Sequence, residues 1–163
     1  MYSSLSTRRE TVAMSTLQDR NRETVKKYMN AYGEDRLKRH LLFTEDGEGG
    51  LWTNDTGKPI RIIGRERLAQ HAIWSLQCFP DWKWVNIRIF DTNDVNFFWV
   101  ECDGRGKICF PNYKEGFYQN HFLHSFELHE GLIKRQREFM NPIEQYNALG
   151  INVPKIQRDG IPT

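Results

Sequence analysis

The sequence predicts an α+β fold in which a strongly curved antiparallel sheet, shaped like a cone, is packed with a few helices. Three observations lead to it. Helical periodicity is confined to the first half of the chain and one short segment near its end. Strand alternation fills the stretch between residues 82 and 141. The two signals are segregated instead of alternating, which argues against a parallel α/β sheet. A curved sheet wrapped against helices has a mouth, and a mouth is where a pocket forms.

The first helix is expected from Thr16 to Tyr32. Val25, Tyr28, Met29 and Tyr32 fall at i, i+3, i+4 and i+7, and Gly33 follows as a stop. Residues 1–15 carry charges but no apolar core, so they read as a flexible arm and not as a secretory signal. Residues 16–163 are expected to form one domain. A shorter helix from Glu34 to Phe43 would turn Leu37 and Leu41 inward and leave Lys38 and Arg39 on a solvated face. Thr44 to Gly50, TEDGEGG, reads as an acidic, turn-rich loop. Leu51–Thr53 and Ile60–Ile63 form a hairpin across NDTGKP. Gly64 opens an apolar helix that breaks at Phe79-Pro80-Asp81.

The period then changes from helix to strand. Trp82 to Phe90 alternates, with Val85, Ile87 and Ile89 on one face. Phe97 to Cys102 is the next strand, and Asp103-Gly104-Arg105-Gly106 reads as a hairpin turn into Lys107–Phe110. Phe117 to Leu128 is a long strand with Asn120, Phe122, His124, Phe126 and Leu128 on one face. After a turn at His129–Gly131, Leu132 to Asn141 is the last strand. Asn141 caps a final helix, with Pro142 in its first position and Glu144 in a capping-box-like place. Gly150 ends that helix, and an extended tail follows.

Composition excludes several functions. The formal net charge of the 163 residues is +2, and the basic residues form no stripe, so nucleic acid is not an expected partner. No run reaches the ~18 apolar residues that span a membrane. The three cysteines are odd in number and lack CxxC spacing, which suits reduced thiols in a cytoplasm. There is no GxGxxG, GxxxxGK[ST] or GxSxG. His121 and His124 point to opposite faces of a strand and make a poor metal pair. Nothing calls for a metal, a flavin or a nicotinamide.

Two stretches carry candidate chemistry. In LAQHAIWSLQC, His71, Trp74, Ser75 and Cys78 share one helical face, while Leu68, Ala72 and Leu76 share another. An imidazole, an indole, a hydroxyl and a thiol on one face suggest a cavity wall, although a single histidine there also fits a hydrogen-bonded structural role. In the last strand, Leu132, Lys134, Gln136, Glu138 and Met140 alternate to one face. If that face lines the cone, desolvation raises the Glu138 pKa and makes it a general acid. The competing reading is a surface glutamate paired with Arg105 or Arg137.

The stretches HLLFTEDGEGGLWT, HAIWSLQCFPDWKW, FFWVECDGRGKI, NHFLHSFEL, REFMNP and RDGIPT closely resemble the phenazine biosynthesis A/B proteins. The resemblance runs from about Asn21 to Thr163. It implies the small cone-shaped fold of the nuclear transport factor 2 (NTF2) and ketosteroid isomerase group, and a homodimer. It implies a cofactor-independent reaction in which two molecules of 6-amino-5-oxocyclohex-2-ene-1-carboxylic acid condense through imines, with loss of water. The family's catalytic histidine and glutamate fall on His71 and Glu138, and its active-site arginine, supplied by the partner subunit, falls on Arg39. That replaces the solvated-face reading of Arg39. Both catalytic groups are retained, as in the family's catalytically competent B-like type. Trp74, Ser75, Tyr118 and Trp82 are expected pocket wall. Two other classes stay open: a non-catalytic subunit that holds the aminoketone, and a dehydratase or isomerase acting on another cyclic ketone.

Overall fold

In the computed structural model, residues 3–162 are described, with side chains described from Thr16 onward. Apart from the backbone of residues 3–15, the arm expected over residues 1–15 therefore lies outside the described residues. Helix α1 spans Ser3–Asn30, so the helix expected from Thr16 extends back along that segment. A 3₁₀ segment follows at Gly33–Leu42, then β1 (Phe43–Leu51), β2 (Ile60–Ile63) and α2 (Arg65–Cys78). The meander is β3 (Lys83–Asp91), β4 (Phe97–Ile108), β5 (Gly116–His129) and β6 (Leu132–Met140), and α3 (Pro142–Ala148) closes the order.

The six strands form one sheet in the order β2-β1-β6-β5-β4-β3. The sheet is curved and unclosed, with β2 and β3 at its edges. Its pairs are antiparallel except for β1 beside β6, which is parallel. Helix α2 packs against the 3₁₀ segment, β1 and β2, and α3 packs on β5. Between helices and sheet lies a core of Val25 and Met29 from α1, Phe98 and Val100 from β4, Phe126 from β5 and Ile133 from β6. Burial of such side chains contributes ~1.5–3 kcal/mol each.

Four local expectations are corrected. TEDGEGG is not a loop but most of β1. Its glycines permit close approach: a Cβ on Gly47 would lie 2.9 Å from Phe43 Cβ, and one on Gly49 would lie 3.1 Å from Leu68 Cδ2. Its Glu48 is buried and paired with Arg61 at 2.5 Å. DGRG is not a turn either, because β4 runs straight through it. A Cβ on Gly104 would strike Trp82 Cζ2 at 2.2 Å, and one on Gly106 would lie 3.0 Å from Trp82 Cα. Those glycines make room for the aromatic residues that cross β4.

The helix after Gly33 is 3₁₀, with three residues per turn. Arg36, Arg39 and Leu42 therefore share a face, and Leu41, expected inside, is exposed. In β6 the pairing steps from Glu127↔Arg135 to Leu128↔Ile133, so Lys134 is an extra, bulged residue. The bulge changes the phase of the pleat. Ile133 is buried on one side of it and Gln136 on the other, while Lys134 is exposed. Beyond the bulge, Gln136, Glu138 and Met140 keep the shared face that alternation predicts. The Asn141 cap is formed as expected through a 3.1 Å hydrogen bond from the Ile143 N–H, and Pro142 opens the helix.

Candidate active site

The open side of the sheet and helix α2 enclose a cavity of about 550 Å³. Arg39, His71, Trp74, Ser75, Trp82, Tyr118 and Glu138 all line it. The faces proposed for α2 are not separate: Leu68 and Ala72 line the same cavity as His71 and Ser75. Cys78 is buried at the end of the helix and is not part of the wall. This volume is within the ~300–1,000 Å³ of typical ligand pockets.

Glu138 sits on β6 directly opposite His124 of β5. Its carbonyl oxygen accepts from the Trp52 N–H at 2.7 Å, which fixes the strand beside β1. The side chain is a quarter exposed and is paired with neither Arg105 nor Arg137. Burial raises its pKa to about 7, while the nearby Arg39 charge pulls the other way. The carboxyl therefore exchanges its proton near neutral pH.

His124 is fully buried between Phe122 and Phe126, with its ring perpendicular to that of Trp84. Burial, with a contribution from Arg39, pushes its pKa down to about 3, so it is neutral. Its Nδ1 lies 2.9 Å from Gln136 Nε2 and 3.9 Å from Glu138 Oε2.

His71 keeps contact with solvent while lining the cavity, so its desolvation is partial. Even so, burial first and the Arg36 charge second lower its pKa. Its ring lies 5.4 Å from that of Trp74. The site thus pairs a carboxyl that holds its proton unusually well with an imidazole that holds its proton unusually poorly.

Arg39 donates to the carbonyl oxygens of Tyr28 and Ala31, both at 2.9 Å, and its guanidinium stands 4.8 Å above the Tyr28 ring. It lines the cavity of its own chain. Ser75 accepts a 2.9 Å hydrogen bond from Arg36, leaving its own hydroxyl proton free to donate. Tyr118 stacks on Trp82 with ring centres 5.1 Å apart, and its hydroxyl accepts from Asn120 at 2.9 Å. Burial pushes the Tyr118 phenol well above its usual pKa, so it stays protonated. Trp74, Phe79, Phe110 and Trp82 continue this aromatic wall through ring contacts.

Sequence reasoning missed Arg36 and Gln136. The spacing of Arg36 and Arg39 carries a signal, but only at 3₁₀ period. Gln136 was on the predicted face without a role. Among the described residues, no group of three or more His, Cys, Asp or Glu gathers to hold a metal. Cys78, Cys102 and Cys109 are free, and among the described residues no helix is long and apolar enough to cross a membrane.

The chain has an NTF2-like α+β fold, the fold also seen in ketosteroid isomerase-like proteins. A solved protein from Catenulispora acidiphila, described as having a ketosteroid isomerase-like fold, superimposes with a TM-score of 0.66 over 80% of this chain and 94% of that one, at 13% identity. A family model described as phenazine biosynthesis protein A/B matches residues 6–163, and the chain belongs to that family. It is 67% identical over 147 residues to phenazine biosynthesis protein PhzB 2 of Pseudomonas aeruginosa, covering 90% of this chain and 91% of that protein. Identity to PhzA2 of the same species is 57% over the same length, covering 90% and 91%. The crystal structure of a phenazine biosynthesis-related protein, phzb2, from P. aeruginosa superimposes with a TM-score of 0.92 at 64% identity, covering 94% and 99%.

Proposed function

We propose that this protein acts in phenazine biosynthesis as a cofactor-independent, cytoplasmic condensing enzyme. Its substrate is 6-amino-5-oxocyclohex-2-ene-1-carboxylic acid, taken two molecules at a time. The observation that carries this reading is Glu138: a carboxyl with a pKa of about 7 in the wall of a roomy cavity rich in aromatic side chains. The match to PhzB relatives supports the pathway, and the carboxyl supports the chemistry.

The amine nitrogen of one molecule adds to the ketone carbon of the other and forms a carbinolamine. Glu138 donates its proton to the carbinolamine oxygen, the carbon–oxygen bond breaks, and water leaves. Loss of the remaining nitrogen proton gives the imine and restores the acid. The second amine and ketone repeat the sequence, so two waters are lost per reduced tricycle. A pKa near the working pH lets one group give and regain the proton, an effect worth ~10²–10⁴-fold. His71, neutral, accepts or relays a proton and orients the substrate. Arg39 offers its guanidinium to a substrate carboxylate. Ser75 and Tyr118 supply hydroxyl groups, and Trp74 and Trp82 supply flat walls for the rings. Holding both molecules together offsets much of the entropy cost of a bimolecular step. A homodimer is part of this reading, from the resemblance.

The test is tricycle formation from freshly generated aminoketone in buffer, with the protein, and with Glu138→Gln. The expected result is acceleration by the protein and near-buffer rates with the variant. Equal rates in all three would leave a binding role.

A further inference from the structure

The backbone N–H of Gly50 sets the direction of a short hydrogen-bond chain behind Glu138. A backbone N–H can only donate. The Gln136 atom that meets it at 3.4 Å is therefore the carbonyl Oε1. The other arm of the amide is then the NH₂ group, whose Nε2 lies 2.9 Å from His124 Nδ1. An NH₂ group offers hydrogens and no lone pair. Nδ1 must present its own lone pair, so the proton of the neutral ring sits on Nε2. Packing between Phe122 and Phe126 holds the ring against turning over. Nε2 is buried with no hydrogen-bond partner among the described residues, so its N–H is left unmet and the tautomer is decided at Nδ1, where Gln136 donates. Nδ1 is also the atom that lies 3.9 Å from the Glu138 carboxyl.

We propose that Gln136 is a positioning residue: it occupies the Nδ1 lone pair and fixes His124 as the Nε2–H tautomer, so that no N–H stands at Nδ1 beside Glu138. An N–H at that place, 3.9 Å from Oε2, would set a positive hydrogen beside the ionised carboxylate and favour it. A lone pair withholds that stabilisation, and the carboxyl keeps its proton. The inference rests on the reading of Glu138 as a proton donor. The other titratable groups that bear on Glu138 are Arg39 from the 3₁₀ segment, Tyr28 from α1, Cys102 from β4 and Tyr118 from β5. His71 of α2 lines the same cavity. Near neutral pH only Arg39 is fully charged, and it acts in the opposite sense. Gln136 thus works with burial against Arg39.

The direct test is nitrogen-15 NMR of the His124 ring in the unaltered protein, with signals assigned by their loss in His124→Phe. A bare Nδ1 and a protonated Nε2 are expected, and a protonated Nδ1 overturns the proposal. The second arm is Gln136→Leu, followed by carbon-13 titration of the Glu138 carboxyl. With Nδ1 released to take the proton and donate, the midpoint should fall by about one pH unit. An unchanged or higher midpoint also overturns it. Neither readout uses turnover. If both come out as expected while no tricycle forms, the arrangement stands and only the proposed reaction fails.

Discussion

Arg36 and Ser75 meet twice. One guanidinium nitrogen, Nη2, lies 2.9 Å from the Ser75 hydroxyl and 3.1 Å from its carbonyl oxygen. The other terminal nitrogen reaches the Phe79 carbonyl at 2.5 Å. Both carbonyls lie at the C-terminal end of α2, where a positive charge is favoured; Ser75 O also accepts from the Phe79 N–H at 2.9 Å, and Phe79 O from the Trp82 N–H at 3.4 Å. One buried arginine thus seals a helix end, orients a site hydroxyl and lowers the proton affinity of His71.

Arg36→Met should destabilise the protein by about 2 kcal/mol in urea unfolding, because it removes the charge-assisted hydrogen bonds to two carbonyls and a hydroxyl, although each carbonyl keeps its backbone partner. The same change should raise the titration midpoint of His71, since the Arg36 charge lowers it. Arg36→Lys should restore the His71 midpoint and recover only part of the stability, because an ammonium cannot reproduce the fork. An unchanged midpoint in the Met variant would sever the link between these residues.

Glu138 makes stability depend on pH with a definite sign. Its ordinary pKa of 4.5 becomes about 7 in the folded protein. Between those values the folded state holds a proton that the unfolded state has released. Stability is therefore greatest below 4.5, falls as pH rises to about 7, and then levels. Glu138→Gln removes the dependence. At pH 8 it should be more stable than the parent by roughly 1–3 kcal/mol, with no gain at pH 4. Thermal unfolding across this range is the check.

Arg39 is the charge that opposes this shift. Arg39→Met should therefore move the Glu138 midpoint upward and carry the alkaline fall of kcat/KM to higher pH. It should also raise KM, if the guanidinium holds a substrate carboxylate. A pH profile that keeps its alkaline limb in place would separate Arg39 from Glu138.

Gly104→Ala should cost ~1–3 kcal/mol through overpacking, since the added carbon would meet Trp82, Trp84 and Phe122 within 3 Å. A variant that unfolds at the parent's temperature would show that the aromatic cluster yields easily.

Strong periodicity and turn chemistry made part of the fold legible. The β5 face from Asn120 to Leu128, the β5–β6 turn with positive φ at Glu130 and Gly131, and the Asn141 cap all follow from local signals. The NTF2-like class and the seven cavity residues came with the family resemblance, beside the α2 and β6 readings. What was illegible had causes beyond local sequence. TEDGEGG and DGRG carry turn composition, yet their glycines answer to neighbours distant in the chain, Leu68 for Gly49 and Trp82 for Gly104. Arg36 was hidden because the sequence was read with a 3.6-residue period across a 3₁₀ turn. The His124–Gln136 contact joins two strands, and neither residue alone announces it.

The extra residue in β6 has a chemical meaning. Starting from a buried Ile133, an uninterrupted strand would send Arg135, Arg137 and Phe139 into the cavity and Glu138 out of it. The same nine residues would then make a basic chamber instead of an acidic one. Lys134 sets the parity of the strand, and parity decides which sign of chemistry the chamber hosts. Its excision would leave Glu138 inside, because one skipped residue and one bulged residue count the same way.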